Sequence, residues 1–259
     1  MRLTRVLLVP ALFLAAWSAP GADAKQCVTS KANGSCPKGG AYTYYPQITA
    51  SNGYNTYVVQ DVWDPIDGWN QTLTSTNPGN WHVVANMPVG NTAVVSYPDT
   101  QQLYGEKLDG FRFIYSSFAE TSDTSTNTID DTGYDIWLNN YADEVMIQHE
   151  VAGHGQCNGD SPVAGPIAFG GTHRVPVNSW YLCQFGSELI WQWPRSQGAW
   201  TFGINQGRVN ILEMVTWLVN NHYLPAKSTL DQIDYGFELS STNAQDETFA
   251  VTKLTIKSK

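Results

Sequence analysis

The chain is built from short runs of β-branched, aromatic and other apolar residues that alternate with turn residues. The breaks contain Asn-Pro-Gly at 77–79, Gly-Asn at 90–91 and Asp-Gly at 109–110. The runs are 56–62, 81–87, 92–97, 111–118, 134–138, 144–149, 180–185, 189–193, 199–204, 233–240 and 249–256. Many short strands at such spacing predict an all-β fold, either a sandwich or a barrel.

One segment departs from this pattern and predicts a helix over residues 207–222. Its side chains recur at helical spacing at Ile211, Met214, Val215, Leu218 and His222. Pro225 would end the helix, because proline cannot continue one. No internal repeat, linker or low-complexity stretch divides the chain, so residues 25–259 are expected to form a single domain.

The composition excludes several classes of protein. Charged residues make up 14% of the 259 residues and aromatic residues 12%, which argues against disorder. The formal net charge is −9, whereas nucleic acid and anionic lipid bind positively charged surfaces. Neither is therefore an expected partner. No apolar run is long enough to cross a membrane.

The first 24 residues have the order of a secretory signal peptide. Arg2 and Arg5 precede an apolar stretch at 6–17, and Ala22-Asp23-Ala24 forms a cleavage site. The alternative is an uncleaved anchor, but the apolar stretch is too short for a helix to cross about 30 Å of hydrocarbon. We therefore expect a secreted protein whose mature chain begins at Lys25.

All four cysteines, Cys27, Cys36, Cys157 and Cys183, follow the leader. An even number in a secreted chain indicates disulfides, and three pairings are possible. We favour Cys27–Cys36 with Cys157–Cys183. A zinc site is disfavoured because the sequence has no C-x-x-C pair.

Strand alternation places two glutamates away from the core. In residues 143–148, Val145 and Ile147 share one face of the strand, and Glu144 lies on the other face with Met146 and Gln148.

The late run repeats this arrangement. Its apolar face contains Tyr235, Phe237 and Leu239, and its other face contains Asp234, Gly236, Glu238 and Ser240. Carboxylates are disfavoured within strands, so Glu144 and Glu238 mark either a functional site or a solvated outer face.

Several blocks in order make the sequence similar to glycoside hydrolase family 12, whose members are secreted, retaining endo-β-glucanases. The blocks cover most of residues 54–258. They are YVVQDVW at 57–63, SYP at 96–98, SSF at 116–118, YDIWL at 134–138, EVMI at 144–147, WL at 217–218 with YL at 223–224, and GFE at 236–238. The resemblance implies a β-jelly-roll sandwich of two antiparallel sheets with one amphipathic helix.

The same resemblance implies three catalytic roles. Glu144 would be the nucleophile, Glu238 the general acid/base, and Asp135 a helper hydrogen-bonded to the nucleophile. A retaining glycosidase needs one ionised carboxylate to attack the anomeric carbon and one protonated carboxyl to donate to the leaving oxygen. Their surroundings must therefore separate the two pKa values.

The resemblance also implies a sugar-binding cleft. Trp63 would stack on a glucosyl ring, because a flat sugar face buries well against an indole. The other substrate-binding candidates are Asp61, Trp137, Met146 and Gln148. Trp137 has an alternative role in core packing.

The sequence departs from the family in three places. Gln148 occupies a position that is usually aromatic, and Gln60 and Asp61 replace two asparagines common before the stacking tryptophan. The connection between Asp135 and Glu144 is short, which predicts a compact hairpin. These differences affect the shape of the cleft and leave both glutamates in place.

His149-Glu150 followed by His154 resembles the zinc motif H-E-x-x-H, but its second histidine comes one residue late. Residues five apart on a helix do not share a face, and Gly153 and Gly155 discourage a helix. We interpret this segment as a loop that leaves the nucleophile strand, and we expect neither a metal nor a cofactor.

The favoured function is an endo-acting hydrolase of β-glucans such as cellulose, mixed-linkage glucan or xyloglucan, working as a monomer. One alternative is a carbohydrate-binding jelly roll that has lost turnover, which the loss of the aromatic at Gln148 supports. The other is a xylanase of the related fold. A pure binding module has no need for two carboxylates in its groove, which argues against the first alternative.

The cysteine assignment makes a direct prediction. The purified protein should begin at Lys25 by N-terminal sequencing, and it should show essentially no free thiol when denatured without reductant. Four reactive thiols in that titration would contradict both disulfides.

Overall fold

The protein has an all-β architecture with one α-helix. A computed structural model describes residues 26–29, 33–35, 41–49, 53–62, 70–122, 127–153, 162–169, 180–193 and 201–259. The predicted signal peptide, residues 1–24, lies outside these ranges. Within them, no helix is both long and apolar enough to cross a lipid bilayer.

Seventeen strands, one 3₁₀-helix and one α-helix make up the described regions. They are β1 (Gln26–Thr29), β2 (Asn33–Ser35), β3 (Ala41–Thr49), β4 (Asn55–Val62), β5 (Asn70–Asn77), β6 (Asn80–Asn86), β7 (Ser96–Lys107), a 3₁₀-helix (Leu108–Gly110), β8 (Ile114–Ser122), β9 (Ile129–Leu138), β10 (Asp143–Ala152), β11 (Ala164–Ile167), β12 (Trp180–Phe185), β13 (Glu188–Gln192), β14 (Thr201–Gly203), β15 (Gln206–Asn210), α1 (Ile211–Asn220), β16 (Thr229–Ser241) and β17 (Glu247–Ser258).

The strands form two sheets, which confirms the predicted jelly-roll sandwich. The larger sheet has the order β1-β3-β4-β7-β16-β9-β10-β13-β12-β11, with β14 beside β10. The smaller sheet has the order β15-β8-β17-β6-β5-β2. Pairing is mostly antiparallel as predicted, but β1 with β3 and β10 with β13 are parallel.

The core lies between the two sheets and follows the predicted alternation. Val145 and Ile147 of β10 are fully buried there. Phe237 of β16 packs edge-on against Trp81 of the smaller sheet, with ring centroids 5.6 Å apart, and also contacts Phe249. These large rings bury apolar area from both sheets and hold the sandwich together.

The helix is shorter than predicted. Asn210 caps it: its side chain accepts a hydrogen bond from the Glu213 backbone and donates one to the Glu213 carboxylate. The predicted face of Ile211, Met214, Val215 and Leu218 is buried. Residues before the cap belong to β15, and His222 lies past the helix end at a positive φ of 66°.

Other strand predictions also differ from the structure, and three of the differences are instructive. β5 was missed, because its Asn, Gln and Thr residues lack an apolar alternation. The run predicted at 92–97 becomes a strand only at Ser96, which begins the much longer β7. The segment after Gln148 was predicted to be a loop, but β10 continues to Ala152 through a bulge and stays paired with β9.

Two glycines allow close backbone approaches at the centre of the larger sheet. Gly133 of β9 and Gly236 of β16 are paired across the ladder. A Cβ on Gly133 would overlap the carbonyl oxygen of Ile147, and one on Gly236 would overlap that of Pro98. Only glycine fits at either position, which is a known role for glycine within strands.

A group of carboxyl side chains lies between the sheets, away from the faces of Glu144 and Glu238. The burial of Glu120 on β8, with Glu150 and Asp130 nearby, raises its pKa to about 10. Burial also raises the pKa of Asp130, with the charges of Glu150 and Glu247 adding to the effect. Glu247 accepts hydrogen bonds from the buried Thr128 hydroxyl. We call these four acids the inter-sheet carboxyl cluster.

The close approach at Gly133 predicts a specific loss of stability. Gly133→Ala should lower the free energy of unfolding by about 2 kcal/mol or more, because the added methyl group must displace the β10 backbone. Urea denaturation measures this change. Gly110→Ala is the matched control, since a Cβ there meets no atom, and its effect should stay within about 0.5 kcal/mol. Equal effects of the two substitutions would contradict a close contact at Gly133.

Candidate active site

The candidate site lies on the face of the larger sheet that points away from the core, across β16, β9 and β10. The register pairs Glu144 with Trp137, and it pairs Asp135 with both Met146 and Asp234. The predicted compact hairpin is present: β9 and β10 are joined by residues 139–142 alone. The structure therefore brings the predicted site residues of β9, β10 and β16 onto one surface.

The acids of this surface are largely withdrawn from water. Asp135 is 6% exposed and Asp234 is 3% exposed, and Glu144 and Glu238 are each partly buried. The alternative of a solvated outer face is therefore wrong for these strands. Burying several carboxyl groups together is costly unless some keep their protons.

Glu144 shows this cost most clearly. Its pKa is raised to about 8, first by burial and then by the charges of Glu188, Glu238 and Asp234. Glu144 and Glu238 therefore interact electrostatically although they lie on strands separated by β9. Such a perturbed acid beside other carboxyl groups is characteristic of functional sites.

Asp135 lies between the two glutamates, on the intervening strand β9. Burial raises its pKa, and the charges of Glu238 and Glu144 add to the effect in that order. It interacts electrostatically with Glu144, and the helper role expected of it stays a prediction. The buried Tyr97 hydroxyl of β7 faces the same acids, since burial and then the charge of Asp135 raise its pKa.

Glu238 has a second carboxyl group as its cross-strand partner. Asp131 of β9 is paired with it in register and forms a hydrogen bond with its side chain. Burial raises the pKa of Asp131, followed by the charge of Glu238 and this hydrogen bond. A hydrogen bond between two carboxyl groups needs one of them to be protonated, so the pair holds a proton beside Glu238.

Trp137 belongs to the site surface instead of the core. Its indole nitrogen donates a hydrogen bond of 3.2 Å to Asp234. Asp234 also accepts hydrogen bonds of 2.7 and 2.8 Å from the Gln232 amide. The Tyr141 ring lies 6.1 Å from the Trp137 ring, and its hydroxyl donates to Gln232.

Met146 and Gln148 lie on the same face of β10 as Glu144, and both are buried. Met146 packs with Cys183 and Ile190 of the neighbouring strands. Gln148 is fully buried, and its side-chain oxygen accepts a hydrogen bond of 2.8 Å from Gln192. Polar pairing thus replaces the aromatic side chain that is common at Gln148 in the family.

Some predicted residues cannot be placed. Trp63 and the side chain of Asp61 lie outside the described residues, and Gln60 is fully buried. Cys183 is buried in the described part, but the side chains of Cys27, Cys36 and Cys157 are outside it, so both disulfide pairings stay predictions.

His149 of the zinc-like motif is part of the core. Its Nδ1 bonds to the Ile204 carbonyl oxygen at 2.8 Å, its Nε2 lies 3.1 Å from the Tyr235 hydroxyl, and its ring stacks on Phe118 at 4.0 Å. Burial lowers its pKa to about 3. His154 lies outside the described residues, and within them no group of three His, Cys, Asp or Glu side chains could hold a metal ion.

Sequence reasoning missed three acids of the site. Asp131 lies on the same strand face as Asp135, four residues away, which was a usable signal. Asp234 shares its face with Glu238. Glu188 gave no signal, because it follows the Gly186-Ser187 turn, where a polar residue is ordinary.

Comparison with solved structures places this architecture among family 12 jelly rolls. One similar structure is the xyloglucanase domain of NopAA, an effector from Sinorhizobium fredii, in complex with cellobiose. The alignment covers 88% of this chain and 98% of that domain, with 21% identity and a TM-score of 0.67. A family 12 xyloglucanase from Bacillus licheniformis covers 88% and 100%, at 17% identity and a TM-score of 0.63. Endoglucanase 3 of Trichoderma harzianum covers 88% and 98%, at 19% identity and a TM-score of 0.58.

The sequence itself matches no protein-family model and no curated protein. Identities near 20% establish a shared fold and leave the activity open. The fold is thus that of glycoside hydrolase family 12, as the sequence blocks indicated.

The proximity of Glu188 and Glu144 predicts a measurable pKa change. In Glu188→Gln, the pKa of Glu144 should fall from about 8 by on the order of one unit, because a nearby negative charge is removed. The titration of the Glu144 carboxyl carbon by NMR reports this change. Asp109→Asn removes an exposed carboxylate of the 3₁₀-helix and is the control, which should leave that titration unchanged.

Thermal stability gives a second measurement of the same effect. Because the folded-state pKa of Glu144 lies above the usual value of 4.5, this group favours folding at low pH and loses that contribution as pH rises towards 8. Glu144→Gln should therefore melt higher than the wild type at pH 8, by roughly 3 °C or more, with a smaller difference at pH 4. A difference that does not change with pH would contradict the raised pKa.

Proposed function

We propose that the protein is a secreted, endo-acting β-glucan hydrolase that retains anomeric configuration. The observation that carries this proposal is the electrostatic interaction between Glu144 and Glu238, which lie on the same partly buried face of a sheet in a family 12 fold. Retaining glycosidases need two carboxyl groups that flank the glycosidic bond at close range.

Glu144 would attack the anomeric carbon as a carboxylate and form a covalent glycosyl-enzyme. Glu238 would donate a proton to the leaving oxygen, and in the second half it would take a proton from water, which releases the sugar from Glu144. Atoms balance over the two steps: one glycosidic bond breaks, one water is consumed, and both glutamates return to their starting states.

The surroundings of the two glutamates favour these different roles. The hydrogen bond from Asp131 keeps a proton beside Glu238, where the acid is required. Asp135 interacts electrostatically with both glutamates, and with the proton that its raised pKa favours it would donate a hydrogen bond to whichever of them is ionised. Trp137 donates a hydrogen bond to Asp234 and is the cross-strand partner of Glu144, so its indole would contact the sugar beside Glu144.

The titration of Glu144 together with its neighbouring acids sets the lower pH limit of activity in this mechanism. The nucleophile must be ionised, and its pKa of about 8 reflects first its burial and then the charges of the neighbouring acids. The site titrates as a coupled group, so the acid limb of the rate profile belongs to the whole set of carboxyls.

Secretion, the disulfides and the role of Trp63 are inferred from the sequence. The leader at 1–24 supports secretion, and the four cysteines support the pairings Cys27–Cys36 and Cys157–Cys183. Trp63 would bind a glucosyl ring beyond the end of β4. The proposed substrate is a β-glucan, handled by a monomer without a cofactor.

Substitution of each glutamate provides the main test. Glu144→Gln should remove essentially all turnover, because an amide cannot attack the anomeric carbon. Glu238→Gln should slow the hydrolysis of ordinary glucans by about 10²–10⁴-fold, and it should spare glycosylation by an aryl glucoside whose leaving group needs no proton. Exposed Glu213 gives the control: Glu213→Gln should keep wild-type rates.

The configuration of the first product decides the mechanism. NMR before mutarotation should show the β-anomer, as expected when two carboxyl groups stand about 5–5.5 Å apart. An α-anomer would indicate inversion and would contradict the nucleophilic role of Glu144.

Substrate choice separates the proposal from its alternatives. Reducing-sugar release should occur with carboxymethylcellulose, barley β-glucan or xyloglucan. Release from xylan alone would identify a xylanase. Binding without release from any of the four would identify a carbohydrate-binding jelly roll.

A further inference from the structure

An exposed aromatic ring stands in the same row of the sheet as Glu144. Glu188 begins β13 next to Glu144, since the parallel register pairs the following residues Val145 and Leu189. Phe185, at the end of β12, is the cross-strand partner of Glu188. Residues paired across a ladder point to the same face of a sheet, so all three side chains lie on the site surface.

The exposure of Phe185 contrasts with its neighbours on that surface. Cys183, Ile190 and Met146 are almost fully buried, whereas Phe185 is 55% exposed. A single exposed aromatic is ordinary on a protein surface. This one, however, lies two strands from Glu144, or about 10 Å at the usual strand spacing. Its ring is therefore open to a ligand that extends across the strands from Glu144.

The chemistry of the Phe185 and Glu188 pair suits a sugar ring. A glucosyl unit has an apolar face of C–H groups, which buries well against a flat aromatic ring. Its edge carries hydroxyl groups, which donate charge-assisted hydrogen bonds to a carboxylate. Phe185 provides the flat surface, and Glu188 provides the acceptor on the adjacent strand.

We propose that Phe185 and Glu188 form a glucosyl-binding subsite on the β12–β13 side of the candidate active site. This inference rests on the proposed glucanase function and extends it. β4 lies on the opposite side of the strands that carry Glu238 and Glu144, so a glucan chain crossing the sheet would pass from the β4 side to Phe185. The subsite provides an aromatic contact on the side where Gln148 lacks one.

The test compares ring removal with ring replacement. Phe185→Ala should raise KM for barley β-glucan about tenfold and keep kcat within twofold, because the ring binds sugar away from the reacting bond. Phe185→Leu, which keeps apolar bulk for the hairpin, should also raise KM, and Phe185→Trp should restore it. Gln184→Ala is the matched control: this exposed neighbour alternates to the other face of β12, and its loss should leave KM unchanged.

Direct binding tests the same subsite without turnover. In a Glu144→Gln background, Phe185→Ala should weaken cellohexaose binding by calorimetry about tenfold, and Glu188→Gln should weaken it severalfold. Unchanged cellohexaose affinity in Phe185→Ala, with a wild type that hydrolyses β-glucan, would overturn the subsite and leave the proposed function intact. A lower kcat and melting temperature with unchanged KM would show a structural role for Phe185 and would also overturn the subsite. A wild type that neither binds cellohexaose nor hydrolyses any β-glucan would overturn both proposals.

Discussion

The shape of the site depends on two places where the backbone leaves no room for a side chain. Glu144 and Glu238 lie on strands separated by β9, and their register partners on β9, Trp137 and Asp131, are six residues apart. In a flat sheet such positions would be remote from each other. Gly133 and Gly236 lie between the two levels, and each allows a neighbouring strand to approach closely. Sheet twist and close backbone approaches both shorten such diagonal separations, and Glu144 and Glu238 do interact electrostatically.

The close approach of many acids lowers the stability of the folded protein. Burial raises the pKa values of Asp131, Asp135 and Glu144, so several of these groups hold protons at pH values where surface carboxyls are ionised. The aromatic core behind the sheet, with Trp81 against Phe237, supplies the apolar burial that offsets this cost. One face of the larger sheet therefore stabilises the protein by apolar burial, and the acids on its other face destabilise it. Such a loss of stability is usual at functional sites.

The sequence predicted the elements whose pattern is local. Alternation at 143–148 separated Val145 from Glu144 correctly, and helical spacing located the buried face of α1. The prediction failed where pairing depends on distant strands. β5 has a polar sequence and forms a strand because it pairs with its neighbours. β10 continues through a bulge into residues that were predicted to be a loop. Glu188 became part of the site only through its parallel pairing with β10, which no local pattern contains.

The inter-sheet carboxyl cluster gives the molecule a second set of protons, separate from those of the site. Glu120 and Asp130 lie between the sheets and have raised pKa values, about 10 for Glu120, so ionising them as pH rises places like charges between the two sheets. Rising pH would then destabilise the protein between its sheets while Glu144 becomes ionised on the site surface. The pH range over which the fold is stable thus depends on the inter-sheet carboxyl cluster as well as on Glu144, and substitutions in the cluster can change that range without altering the site surface.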